Sequence, residues 1–204
     1  VEMKQIFSYE GWYYRVFSFA TDMILLSFLF LVPAVTIVLT GPALIALYQT
    51  IDQLYQEKDV PVWQRYSRAF LANIKRGIVL EGIIVGYVAV TAAIIYGLMG
   101  ITTYLGVLAV ILSSLAGLFL TVFVLLFCLF SSTVKQTAHE TAYAVLSSTA
   151  NAIILLVIPV FVFLLLNKIN SFLFVCLGIS GFAYLQVLFF HKVWAKEGDV
   201  NEIN

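Results

Sequence analysis

Two carboxylates, Asp22 and Glu81, stand inside long apolar runs. An ionisable group within a membrane-spanning stretch is expensive to bury unpaired, which makes each a candidate for holding a cation or relaying a proton. Their positions favour a plainer role. Asp22 lies near the start of the first apolar run and Glu81 near the start of the second, which places them towards opposite interfaces rather than in one site. Glu81 is also within reach of Lys75, Arg76 or Lys135. His139 and His191 are the side chains best suited to change charge near neutral pH. Both flank apolar runs, His139 beside Glu140 is no metal motif, and both read as solvated residues at span ends. Cys128 and Cys176 sit within apolar stretches and read as small buried hydrophobes. No Ser-His-Asp set, phosphate-binding Gly-rich loop or Cys/His cluster is present. No enzyme, no cofactor and no metal site is expected.

Gly41-Pro42 is the most informative dipeptide. As a helix break it would leave the carbonyls of residues 37–40 without partners, which a membrane tolerates only against protein or a water-filled cavity. That is one route to a solute or ion site. The commoner meaning is a turn from spanning the membrane to lying flat on it. Gly77, Gly82 and Gly86 have the spacing of a close helix-packing face. Trp63 with Arg65, Arg68, Lys75 and Arg76 forms a candidate surface for anionic lipid or for a partner protein.

The elements carrying these residues are membrane helices. The 204 residues are 62% hydrophobic and 11% charged, where soluble domains average about 45–50% and about 25%. The apolar runs are continuous, unlike the alternating strands of a barrel. Net charge is zero, so no global field points to nucleic acid. Spans are expected at residues 16–40, 77–99, 104–130, 152–166 and 171–190, with upstream residues such as Tyr143, Val145 and Leu146 lengthening the fourth. Pro33 should kink the first. The aromatic lead-in over residues 1–15 reads as interfacial, the turns at 100–103 and 167–170 as short, and the tail as polar.

Between the first two spans, residues 43–76 read as two amphipathic helices separated by Lys58-Asp59-Val60-Pro61. In the first, Leu44, Leu47, Tyr48, Ile51, Leu54 and Tyr55 share a face opposite Gln49, Asp52, Gln53 and Gln56. In the second, Trp63, Tyr66, Phe70 and Ile74 oppose Arg65, Arg68, Lys75 and Arg76. Such helices lie on a membrane surface. The fold class expected is all-α, a single polytopic membrane domain of about five transmembrane helices plus two cytoplasmic interfacial helices. Lys and Arg concentrate in the intervals after spans one, three and five, which makes those intervals and the C-terminus cytoplasmic and puts the N-terminal side outside. A faint echo, Ala69-Phe70-Leu71 before span two and Ala144-Val145-Leu146 before span four, suggests two units, each an amphipathic helix followed by a hairpin.

The run Leu31-Val32-Pro33-Ala34-Val35-Thr36-Ile37, then Gly41-Pro42-Ala43-Leu44-Ile45-Ala46-Leu47-Tyr48, then Phe70-Leu71-Ala72-Asn73-Ile74-Lys75 resembles the YesL-like family of bacterial integral membrane proteins, a family of unknown function. The resemblance covers residues 28–77 and implies a multi-pass cell-membrane protein of the kind found beside ABC-type sugar importers in Gram-positive bacteria. It carries over no catalytic residue. The expected function is therefore a non-enzymatic accessory that binds a partner, an ABC-type sugar importer or its regulator, through residues 43–76. The alternative is a small-solute or ion carrier that uses the broken helix at Gly41-Pro42. Neither reading fixes an oligomeric state.

Overall fold

The computed structural model describes residues 12–56, 61–99, 103–169 and 174–194, and among them there are only helices and short turns. In chain order these are α1 Trp12–Ala34, α2 Thr40–Gln56, α3 Val62–Ala72, α4 Ile74–Met99, α5 Thr103–Leu129, α6 Val134–Ser147, α7 Thr149–Ile169 and α8 Ile179–Phe189. Wider π turns, Phe174–Gly178 and Phe190–Trp194, extend α8 at both ends. Residues 1–11, the break at residues 57–60, the turns at 100–102 and 170–173, and the tail from residue 195 lie outside the described residues.

Four described helices are long and apolar enough to cross a membrane, over Phe17–Ala34, Ile74–Leu98, Tyr104–Leu129 and Thr149–Leu166. The all-helical class is as expected. The fifth stretch is helical from residue 174, but its π turns leave only Ile179–Phe189 as regular α-helix.

The first span ends earlier than its apolar run suggests. Pro33 sits in the last turn of α1 and ends the helix instead of kinking it. The Thr36 hydroxyl donates to the Pro33 carbonyl at 2.7 Å, and Ile37 takes a left-handed φ of 59° that turns the chain back. That conformation is strained for a β-branched residue. The break therefore lies at residues 35–39, and Gly41-Pro42 falls inside the first turn of α2, where proline's missing N–H is no loss. The carbonyls expected to be orphaned are partly satisfied: Thr40 N–H donates to Ile37 and Ala43 N–H to Leu39, both at 3.0 Å.

Contacts with α8 give each helix its direction. Along α1, Phe19 meets the Tyr184 ring at a centroid distance of 4.9 Å and Ser27 donates to Ser180 at 2.9 Å, so α1 runs antiparallel to α8. Along α2, Tyr48 pairs with Gln186 and Asp52 with His191, so α2 runs parallel to it. α4 descends beside α2, with Asn73 donating to Gln49 at 3.0 Å, and α5 returns beside α4, with Tyr87 donating to the Ser113 carbonyl at 2.5 Å. The first turn of α1, all of α3, the start of α4, the end of α5, all of α6, the start of α7 and the end of α8 thus gather at one end of the bundle.

Three expectations change. Tyr143, Val145 and Leu146 do not lengthen the fourth span: they belong to α6, which ends at Ser147, and the span begins at Thr149. α1 and α2 form a hairpin that returns to the end it left, so the start of α1 and the end of α8 lie together; the N-terminal side expected opposite the C-terminus is not what the bundle gives. And α2, expected to lie flat, is the core of the fold. It is in contact with α1, α3, α4, α5 and α8, and Gly41, Pro42, Ala43, Ile45, Ala46, Leu47, Tyr48, Thr50 and Ile51 are all buried. The two-unit echo does appear in the order of elements: α3 leads into the α4–α5 hairpin, and α6 leads into α7 and α8.

Candidate functional site

The polar groups that the sequence scatters along the chain converge on α2. Its first turn lies backbone to backbone on α4. A Cβ on Gly41 would run into the Gly77 carbonyl, and one on Gly77 into Pro42. Gly82 and Gly86, expected on the same packing face, have nothing within 4 Å of a built Cβ and look outward. The close approach brings the Glu81 carboxylate to the Gly41 N–H. Glu81 therefore caps α2 across the helix pair, where the positive end of the helix dipole favours a negative group. Among the described residues it pairs with no lysine or arginine. Its Oε2 is buried and has no partner among the described residues.

Further along α2 the Tyr48 hydroxyl donates to Gln186 Oε1, and Gln186 Nε2 donates to the Leu155 carbonyl at 2.9 Å. Pro159, inside α7, has no N–H to offer that carbonyl, so Gln186 replaces the missing intrahelical bond. Gln186 was not singled out in the sequence. Its signal is a neutral amide within an apolar span, which must find a hydrogen-bond partner on a neighbouring helix. Asn73, at the joint between α3 and α4, donates to Gln49 and accepts from Arg76 at 3.2 Å. Arg76 reaches on to the Phe127 and Phe130 carbonyls at 3.0 and 2.8 Å and stacks over the Phe127 ring. These are end-of-helix carbonyls of α5, so Arg76 is its C-terminal cap and not a surface cation.

At the end of α2, His191 Nε2 lies 2.6 Å from Asp52 Oδ1, with the Tyr55 ring stacked on the imidazole at 5.4 Å. His191 is thus a partner in a contact between α2 and the end of α8, not a solvated residue. His139 is exposed on α6.

α3 is turned relative to its expected faces. Arg65 is buried at 7% exposure, together with Val62 and Tyr66, whereas Trp63 is 57% and Leu71 68% exposed. Arg68 and Lys75 are exposed beside them. Of the expected surface, the outward part is Trp63, Arg68 and Lys75, and Leu71 is exposed beside them. Burial pushes the Tyr66 phenol above its usual range, so it stays neutral; its hydroxyl has no partner among the described residues.

Asp22 is half-buried on α1. It lies about 18 Å of helix before the turn that leads to Gly41, and nothing brings it to Glu81. Cys128 and Cys176 are free and buried, as expected. Among the described residues no three His, Cys, Asp or Glu side chains come together as a metal site would require.

Fold and contacts define an all-helical protein with helices able to span a membrane, organised round one buried helix. Residues 23–104 match the model of a family described as a protein of unknown function, DUF624. The matched stretch is less than half the chain and runs from α1 into α5, so it contains all of α2 and the Gly41–Gly77 contact. No curated protein and no solved structure matches this chain.

Proposed function

We propose that the chain is a non-enzymatic, multi-pass accessory of the cell membrane that docks a partner protein at the end of the bundle bearing α3 and α6, and that this end faces the cytoplasm. What carries this reading is the outward face of α3, where Trp63 and Leu71 are turned out beside Arg68 and Lys75. Exposed aromatic and cationic side chains on a firmly held helix suit a partner interface better than the buried α2 does. The excess of Lys and Arg in the intervals at this end supports the cytoplasmic assignment. The family resemblance over residues 28–77 suggests the partner, an ABC-type sugar importer or its regulator. The test is co-purification of that importer after cross-linking in native membranes. The double charge reversal Arg68→Glu, Lys75→Glu should abolish it while insertion stays normal; unchanged recovery rejects the surface. Arg65 is left alone because it is buried.

A second reading, a carrier for a small solute or ion, draws on the spare buried oxygen of Glu81 at the first turn of α2. The backbone contact of Gly41 with Gly77 argues against an open route there. Reconstituted protein that moves a solute across vesicles, with Glu81→Gln slowing it, would favour this reading over docking.

A further inference from the structure

We propose that the outward stripe of α6, Lys135–His139–Tyr143–Leu146, is seated in the headgroup region of the bilayer as a lipid anchor separate from the α3 docking face. The four residues recur at helical spacing, and all are exposed. Tyr143 is 73% and Leu146 77% exposed, while the opposite stripe, Thr137, Thr141 and Val145, is buried. This is the reverse of a water-facing helix, which turns its large apolar side chains inward. The inward threonines need no outside partner, because their hydroxyls donate to the carbonyls of Thr133 and Thr137 at 3.1 and 2.7 Å. What meets the outer stripe must therefore accept an aromatic ring and a leucine.

The connections say what that is. α6 starts at Val134, a few residues after α5 ends at Leu129, and stops at Ser147, immediately before α7 begins at Thr149. A capping box between Thr133 and Gln136 fixes its first turn. Both ends of α6 are thus tied to spanning helices where they leave the hydrocarbon, and the helix lies at the level of the headgroups. Leu146 is followed by the exposed Ile153, Ile154 and Val157 of α7, so the apolar surface continues from the anchor into the lipid-facing side of a span. Tyrosine at the boundary, leucine towards the acyl chains and lysine towards phosphate is the arrangement an interface selects.

The test uses full-length protein in phosphatidylcholine–phosphatidylglycerol vesicles. An environment-sensitive fluorophore is placed on Leu146→Cys, on Tyr143→Cys and, as a control on another edge of α6, on Glu140→Cys. Cys128 and Cys176 are buried and are replaced by alanine if they label. Labels at 146 and 143 should be blue-shifted and quenched several-fold more by brominated acyl chains than the label at 140, which aqueous iodide should quench. Iodide quenching of 146 and 143 equal to that of 140, with no effect of brominated lipid, overturns the proposal. Two labelled positions guard against one disturbing the helix. The readout needs no partner protein, so its failure leaves the α3 docking reading standing, and the reverse holds too.

Discussion

Gly41 and Gly77 meet with no side chain between them, and the pair sets the distance between α2 and α4. Glu81 can reach the Gly41 N–H only because of that approach. Gly41→Ala or Gly77→Ala forces the two backbones apart and should destabilise the protein by about 1–3 kcal/mol, the usual range for overpacking. Gly82→Ala and Gly86→Ala meet open space and should stay within about 0.5 kcal/mol of the parent. Thermal unfolding in detergent, followed by loss of monodisperse protein, separates the two pairs. Equal effects at all four positions would show that the contact does not hold the hairpin.

Arg76 makes a different kind of link, from the start of α4 to the carbonyls that end α5. Arg76→Ala removes a charged donor from carbonyls that have no intrahelical partner, so a loss of about 1.5–3 kcal/mol is expected. Arg76→Lys should recover only part of it, because an ammonium cannot span several carbonyls as the planar guanidinium does. Arg68→Ala, on the exposed side of α3, should leave stability unchanged. Denaturant or thermal titration of the three variants checks the order.

How far the sequence reveals this arrangement depends on what each signal measures. Continuous apolar runs specify helices long enough for lipid, and these formed as read, because no other secondary structure satisfies the backbone there. Periodicity specifies that a helix has two faces, but not what lies against each. α2 shows a clean period and still became the core, since the bundle supplies partners on both sides: Asn73 for Gln49 and His191 for Asp52 on its polar face, and Gln186 for the hydroxyl of Tyr48 on its apolar face. α3 was misread for the same reason. Its pattern allows either Trp63 or Arg65 to face inward, and long-range packing chose Arg65. The turn at residues 35–39 hinges on Ile37 at positive φ, which no residue preference announces. By contrast, Gly77 was legible as a packing residue, because only a residue without a side chain lets two helix backbones meet, although Gly82 and Gly86 of the same pattern look outward.

Gln186 and Pro159 should be energetically coupled. Gln186→Leu leaves the Tyr48 hydroxyl and the Leu155 carbonyl unsatisfied in the core, a cost of about 1–3 kcal/mol for each buried group. Pro159→Ala restores an N–H that can bond the Leu155 carbonyl within α7. Gln186→Leu should then cost less in the Pro159→Ala background than in the parent. A double-mutant cycle by thermal or denaturant unfolding measures the difference. Simple additivity of the two changes would mean that the Leu155 carbonyl does not depend on Gln186.

The direction of α1 is the feature on which sidedness turns. Phe19 lies by Tyr184 and Ser27 by Ser180, so α1 starts near the end of α8. Lys192 follows Tyr184 by about 12 Å of helix. Lys168, near the end of α7, lies about 20 Å beyond Leu155, the α7 residue that Gln186 contacts. All three probe positions, Ser18, Lys168 and Lys192, are exposed, so spin labels there should not disturb packing. Pulsed electron-spin distance measurements in reconstituted protein should give a shorter Ser18–Lys192 separation than Ser18–Lys168. If α1 instead crossed as the first of five alternating spans, its start would lie at the Lys168 end and the order of the two distances would reverse. The reversed order would place the start of α1 on the opposite side from α3 and α6, and the hairpin of α1 with α2 would have to be abandoned.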